Sequence, residues 1–358
     1  MDPIFLYATC QAGAEPVLKQ EVARDYPMLR FAFSRPGFVT FKWAGAEGGL
    51  STAFDFHAVF ARSWGISLGK INGERPELAK LATEKAIASV QGGPRIRLHA
   101  WERDRYAPEA EPKGFQRGEW ERAARAALLG SAGHPFHNES KAYSGETVFD
   151  IVVVEENEWW LGLHKQTEGR MPFPGSRAEI KLPDAAPSRA YLKIEEGLLW
   201  SGAQVRSGDR AIEVGSAPGG ASFALLARGL KVMGIDPAAM DKRILAHANF
   251  VHAPVNVNQL TRDDLPQDVQ WLLLDMNVAP SVSLFAVDRL ATLLKSSLLG
   301  AFLTVKLNDW KIAAEIPGMF EHLKSMGFQE VRATQLSSNR REIFIYCDTG
   351  KRKAETSG

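Results

Sequence analysis

Four charged side chains, Lys193, Asp275, Lys306 and Glu342, stand where apolar runs begin or end. Asp275 follows WLLL, Lys306 follows FLTV, and Glu342 precedes IFIY. In a parallel sheet, ligands and catalytic groups gather outside the carboxyl ends of the strands. An ionised group emerging there from buried backbone costs solvation unless it is partnered, which favours a functional origin. Lys193 taken alone, within YLKIEEGL, reads as the exposed face of a helix. A second pattern lies at residues 211–222, AIEVGSAPGGAS, where an apolar run ends in an acid and opens into the turn Gly215, Ser216, Ala217, Pro218, Gly219, Gly220. Glycines let backbone approach a ligand closely. Asp236, at the end of the next apolar run, is spaced to take ribose hydroxyls, so an adenosine-containing ligand is expected. The turn also fits the G-x-A-x-x-G variant of the dinucleotide fingerprint, so by itself it leaves a nicotinamide dehydrogenase open.

The elements that must position these groups alternate in the βαβ manner. Strands are expected at 211–214, 231–235, 250–253, 271–275 and 301–306, with helical stretches around Ala221, Ile244 and Phe285 and over 312–326. The pattern predicts a doubly wound α/β sheet. Residues 328–334 and 342–347 follow each other with only a polar loop between them, so they must close the sheet as an antiparallel hairpin. The N-terminal half reads as smaller α+β units. Its expected elements are a strand at 4–8, a helix at 14–24, a strand near 37–42 and a helical stretch over 50–63. After Gly92-Gly93-Pro94 come a strand at 96–101, a helix at 118–129 and a hairpin of 148–154 with 159–163. Pro172, Pro174, Pro183 and Pro187 mark 169–187 as a linker, and the polar tail 350–358 reads as disordered.

The 358 residues suffice for two or three domains, and 45% hydrophobic with 24% charged residues is the composition of a soluble globular protein. The longest apolar region, 290–307, is broken by Lys295, Gly300 and Lys306, so neither a membrane span nor a signal peptide is expected. Cys10 and Cys347 cannot form a metal cluster or a disulfide framework, and a reducing cytoplasm is the expected compartment. The net charge of +1 does not announce a nucleic-acid protein. Local patterns do more. Lys165, Arg170, Arg177, Lys181, Arg189 and Lys193 form a stripe that could track phosphates. Arg95, Arg97, Arg103, Arg105, Lys113, Arg117, Arg122 and Arg125 are interleaved with Trp101, Tyr106, Phe115 and Trp120, which could stack on bases or equally belong to a core.

From Ser188 onward, SRAYLKIEE, VGSAPGGAS, LLLDM, TVKL and RREIFIY occur in one order. In this the chain resembles the S-adenosylmethionine-dependent ribose 2'-O-methyltransferases of the heat-shock RNA methyltransferase type, and Lys193, Asp275, Lys306 and Glu342 look like that family's Lys-Asp-Lys-Glu tetrad. YATCQAGAEPVLKQEV resembles the opening of a ferredoxin-like unit joined to a THUMP domain, an RNA-binding module. The pairing is most similar to the RlmM family, bacterial enzymes that methylate the 2'-hydroxyl of one cytidine in 23S rRNA. The resemblance implies a ferredoxin-like unit at 1–90, a THUMP-like unit at 91–168, the linker at 169–187 and a Rossmann-like methyltransferase domain at 188–349. It implies that Lys306 deprotonates or orients the ribose hydroxyl, with a pKa lowered by burial and by Lys193, while Asp275 and Glu342 hold the ammonium groups. Ser188, the turn Gly215 to Gly220, Asp236, Asn256 and Asp275 would bind the donor, and 23S rRNA would be the partner. Asn256 stands where many relatives have an aspartate; an amide can still donate and accept there.

Competing chemistries fit less well. Pro218 falls where a dehydrogenase helix would present amides to a pyrophosphate. Carbon-5 methylation of pyrimidines needs a cysteine nucleophile, and neither cysteine follows a central strand. Amino-group methylation usually uses an Asn or Asp followed by two prolines, which Asp275-Met276-Asn277 does not match. No carboxylate cluster for metal-assisted transfer can be assembled from these motifs, and no metal is expected. A non-catalytic RNA-binding assembly factor is the rival from another class, and the intact set of four charged residues argues against it.

Overall fold

The structure, a computed structural model, describes residues 4–90 and 95–352. The chain divides into two compact units, Met1–Glu179 and Ile180–Gly358. The turn Gly92-Gly93-Pro94 lies outside the described residues. Among the described residues no helix is long and apolar enough to cross a membrane.

The first unit comprises β1 (Phe5–Thr9), α1 (Glu15–Asp25), β2 (Leu29–Arg35), β3 (Phe38–Trp43), β4 (Ser63–Asn72), α2 (Arg75–Val90), β5 (Arg97–Glu102), α3 (Glu119–Leu129), β6 (Thr147–Glu155) and β7 (Glu158–Lys165). Its seven strands form one sheet in the order β2-β3-β1-β4-β7-β6-β5. Because β4 pairs with β7 from Ile66↔Leu163 to Asn72↔Glu158, the sheet runs across the division expected at residue 90. The run VFDIVVV builds β6, buried from Val148 to Val154, and the expected hairpin with β7 is present.

The helix expected over 50–63 is absent; those residues form an irregular segment that ends in β4. Aromatic packing and one buried carboxylate take the place of helical hydrogen bonds. Phe54 and Phe56 pack on the Tyr26 ring, and Glu21 accepts the N–H groups of Val59 at 2.7 Å and Phe60 at 3.2 Å. Of the expected linker, Pro174–Ser176 forms a short 3-10 turn in the first unit.

The second unit comprises α4 (Ala190–Ser201), β8 (Arg210–Val214), α5 (Gly220–Ala227), β9 (Lys231–Ile235), α6 (Lys242–Leu245), β10 (Phe250–Ala253), β11 (Trp271–Leu274), α7 (Pro280–Leu294), β12 (Gly300–Lys306), α8 (Ile316–Ser325), β13 (Glu330–Thr334) and β14 (Glu342–Asp348). The order is β10-β9-β8-β11-β12-β14-β13, parallel from β10 to β12, with β14 antiparallel to both of its neighbours. The doubly wound α/β sheet closing in an antiparallel hairpin is thus as the sequence predicts. Its central strand β11 is fully apolar: Trp271 to Leu274 are all buried, and Phe302 stacks between Trp271 at 5.3 Å and Tyr346 at 5.5 Å. The tail expected to be disordered from Gly350 is held at its start. Lys351 donates to Lys295 O at 2.6 Å, and Arg352 pairs with Asp209 at 2.9 Å; residues 353–358 lie outside the described ones.

Helix α4 reaches β14 because residue 197 has no side chain. A methyl there would lie 2.1 Å from Phe344 Cζ. In an ordinary helix interior, glycine to alanine gains about 0.5–1 kcal/mol. Here Gly197→Ala is expected to destabilise the protein instead, by about 1–3 kcal/mol through overpacking. Denaturant unfolding decides the sign.

Candidate active site

The tetrad forms from four elements converging on one sheet edge. Lys306 is the last residue of β12 and Glu342 the first of β14, and the antiparallel register places them directly opposite each other. Asp275 leaves β11, the neighbour of β12, and Lys193 comes from the first turn of α4. The ammonium of Lys193 lies 3.0 Å from Asp275 Oδ2 and 2.8 Å from Glu342 Oε1. Lys306 Nζ lies 3.2 Å from Asp275 Oδ1 and donates to Glu342 Oε2. Each cation therefore bridges both carboxylates, and each carboxylate bridges both cations. Side-chain exposures of 7% to 21% put the ring largely out of water, where such pairs are only weakly screened.

This ring overturns one expectation. Burial, the largest single influence on Lys306, favours its neutral form, but Asp275 and Glu342 outweigh it and hold the ammonium above the ordinary lysine value. Lys193 does not dominate, because both carboxylates touch Lys306 directly. For Glu342, burial pushes the carboxyl up, while the charges and hydrogen bonds of Lys193 and Lys306 bring it below the ordinary range.

The glycine turn follows β8, two strands from β12. Gly215 has φ +79°, and a Cβ there would lie 2.5 Å from Asp275 O, so the turn packs against the backbone that carries the tetrad aspartate. Asp236 straps the turn: Oδ2 accepts the Ala217 N–H at 3.0 Å, and Oδ1 accepts Ala238 N–H at 2.8 Å. Ser188 lies against Gly220, where a Cβ would meet its Oγ at 2.2 Å. Ser216 is buried and directed at Met240 Sδ, 3.5 Å away. Asn256 is exposed after β10, its N–H bonded to Gln259 Oε1 at 2.9 Å. A Cβ at Gly219 would likewise lie 2.7 Å from Ile244 Cγ1, so Gly215, Gly219 and Gly220 lack side chains where the strand-to-helix junction packs closely on its neighbours.

Sequence reading missed Glu213, the acid that ends the apolar run before the turn. It is 2% exposed, bonded to Ser222 Oγ at 2.5 Å, and lines a cavity of about 20 Å³ with Lys193, Asp275, Thr304, Phe302 and Phe344. That is room for about one water molecule. Burial above all, with Asp275 and Asp236 adding to it, pushes its carboxyl up to about 8. An acid closing an otherwise apolar strand was the available signal.

Several cations of these basic patterns are spent inside the first unit, while Arg95, Lys113, Arg122 and Lys165 stay exposed. Arg170 stacks on Trp64, and Arg177 pairs with Asp104 at 2.8 Å and Glu121 at 3.3 Å. Arg97 and Arg103 are buried in pairs with Glu146 and Glu155. Trp101 is 2% exposed and belongs to the core, while Arg105 covers the rings of Trp120 and Phe115 at 3.9 and 4.5 Å. Burial and charge pairing, which composition does not reveal, remove these residues from a phosphate-tracking surface. His99, Asp150 and His164 bring possible ligand atoms within 4.8 Å of one another. Asp150 Oδ2 is already committed at 2.6 Å to the Tyr7 hydroxyl and at 2.5 Å to His164 Nδ1, so the group is an internally bonded buried network.

Glu213 gives stability a definite pH dependence. Its folded value lies above the unfolded one, so the folded state holds a proton that the unfolded state releases between about pH 4.5 and 8. Its contribution is complete below that window and is lost as pH rises through it. Denaturation midpoints are expected to fall less steeply with pH across this window in Glu213→Gln than in the unaltered protein.

Residues 186–347 match the family model described as FtsJ-like methyltransferase. Curated relatives named Ribosomal RNA large subunit methyltransferase M include that of Sodalis glossinidius, 26% identical over 50% of this chain and 51% of the relative. That of Alkalilimnicola ehrlichii is 31% identical over 51% of each chain, and that of Psychromonas ingrahamii 27% over 58% of each. The chain spans about half the length of the curated relatives it matches. The FtsJ-like match thus falls on the second unit, the one that carries the tetrad edge and the strapped glycine turn.

Proposed function

We propose that the protein transfers a methyl group from S-adenosylmethionine to the ribose 2'-hydroxyl of one cytidine in bacterial 23S rRNA, in the cytoplasm. The observation that carries this reading is the ring of two ammonium groups and two carboxylates beside the glycine turn. The relatives' name supports ribosomal RNA of the large subunit as substrate. We assign RNA binding to the first unit, as a ferredoxin-like and THUMP-like pair over 1–90 and 91–168.

The donor, when bound, supplies an electrophilic methyl on a sulfonium centre. Gly215 to Gly220 and Asp236 would hold it, with Ser188 and Asp275 against the turn and Asn256 contributing from the segment after β10. Lys306 and Lys193 orient the ribose hydroxyl. Its proton passes to Lys306 Nζ as the oxygen takes the methyl, and this requires Lys306 to be neutral at that moment. In the free protein the carboxylates oppose that, since they hold the ammonium charged. Added positive charge near Asp275 weakens its hold on Lys306 and lowers the lysine value toward working pH. The four groups titrate together, so the ring as a whole is the acid-base device.

Lys306→Ala is expected to bind S-adenosylmethionine as the unaltered protein does, by calorimetry, and to lose methyl transfer to 23S rRNA. Full transfer in that variant overturns the assignment, and tight binding of a nicotinamide dinucleotide would favour a dehydrogenase. Because the resting ammonium is held above its ordinary value, kcat/KM is expected to keep climbing with pH through the alkaline range without a plateau, with the lysine as the group that must lose a proton. Mass spectrometry of 23S rRNA from a deletion strain, with and without the gene restored, identifies the nucleotide.

A further inference from the structure

Glu196 lies one turn beyond Lys193 on α4, yet its carboxylate takes no part in the tetrad. It is 5% exposed and accepts three hydrogen bonds from a single turn of the loop between β13 and β14. The donors are Ser337 Oγ at 2.5 Å, the Ser338 N–H at 2.9 Å and Ser338 Oγ at 2.7 Å. A buried carboxylate costs several kcal/mol unless donors converge on it, and these three uncharged donors come from residues 141 and 142 positions away in the chain. So placed, the acid ties a loop to a helix.

The tied loop leads directly to the tetrad. Asn339, 3% exposed, accepts the Leu336 N–H through Oδ1 at 2.8 Å and donates its own N–H to Leu336 O at 3.1 Å, which locks the turn. Its Nδ2 donates to Glu342 Oε1 at 3.2 Å. That same oxygen takes the Lys193 ammonium at 2.8 Å. Glu342 opens β14, and the loop before it has no ladder of its own. Its carboxylate is thus held at Oε2 by Lys306 of β12 and at Oε1 by two groups tied to α4, Lys193 directly and Glu196 through the Ser337-Ser338 turn and Asn339. We propose that Glu196 is a positioning residue that fixes Glu342 between the two lysines. This rests on the methyl-transfer reading for its kinetic consequence but not for its structural one.

A loosened loop lets Glu342 move off the ammonium groups. Two readouts follow in the full chain carrying Glu196→Gln, Asn339→Ala or both. The first needs no activity: carbon-13 NMR titration of the Glu342 carboxyl, which the lysines hold below the ordinary range, is expected to move up toward that range in each variant. The second is methyl transfer to 23S rRNA. The rate kcat is expected to fall roughly 10- to 100-fold, since small misplacements of catalytic groups cost that much, while KM for RNA and the affinity for S-adenosylmethionine stay within about twofold. The double variant should be no worse than the poorer single one, because both act through one path. Lower thermal stability with an unmoved Glu342 titration and an unchanged kcat makes Glu196 a loop anchor only and overturns the proposal. Should Glu196→Gln fail to fold, Ser337→Ala removes one of the three donors and carries the same comparison. Absence of methyl transfer by the unaltered protein sinks the functional reading alone, since the Glu342 titration still decides the positioning role.

Discussion

Two ammonium groups and two carboxylates can share a mostly buried edge of a sheet only if each charge meets opposite partners. Removing any one leaves its neighbours with uncompensated charge in a poorly solvated place, a cost of several kcal/mol. That requirement constrains the second unit widely. Register must set Lys306 opposite Glu342, β11 must lie beside β12 so that Asp275 reaches both cations, and α4 must lie close on β14 to deliver Lys193. The bare position at Gly197 makes the last condition possible. Gly215 meets a further one by letting the turn pack against the Asp275 carbonyl, which couples the glycine turn to the charged ring.

Much of this was legible in the sequence. Short apolar runs ending in single charges specify both strands and strand ends, and βαβ alternation then fixes which edge the charges share. The closing hairpin followed from the lack of any crossover helix. The state of Lys306 was not legible. Burial and a neighbouring cation were visible as tendencies, but the two carboxylate contacts that outweigh them depend on ångström-scale placement. Glu213 and Glu196 escaped for a related reason. A strand-end acid and a helical acid look like surface groups until the fold surrounds them with donors and hydrocarbon.

The first unit shows the same limit more sharply. Residues 50–62 have enough helix-compatible residues to suggest a helix, yet Glu21 captures two of their N–H groups and aromatic rings pin Phe54 and Phe56, so tertiary bonding replaces local bonding. The alternation of arginines with tryptophans and phenylalanines suggested a nucleic-acid surface. In the fold, several of those arginines are themselves buried and paired with partly exposed acids, or lie over the rings. A cationic and aromatic composition is common to an RNA surface and to a polar core stitched by ion pairs; burial tells them apart.

Charge accounting at the second unit's edge also constrains what can bind there. The tetrad sums to zero, two ammonium groups against two carboxylates. Glu213, pushed up to about 8, carries its proton at neutral pH, which leaves the Asp236 carboxylate as a net negative charge next to the glycine turn. A ligand of net positive charge is matched to Asp236, whereas Asp275 is already offset by Lys193 and Lys306. The proposed sulfonium donor would use that match, which stands apart from any motif. Glu213 sharpens it: ionised, it would place a third carboxylate beside those two, so keeping it protonated prevents the edge from becoming too acidic to release the lysines from their partners.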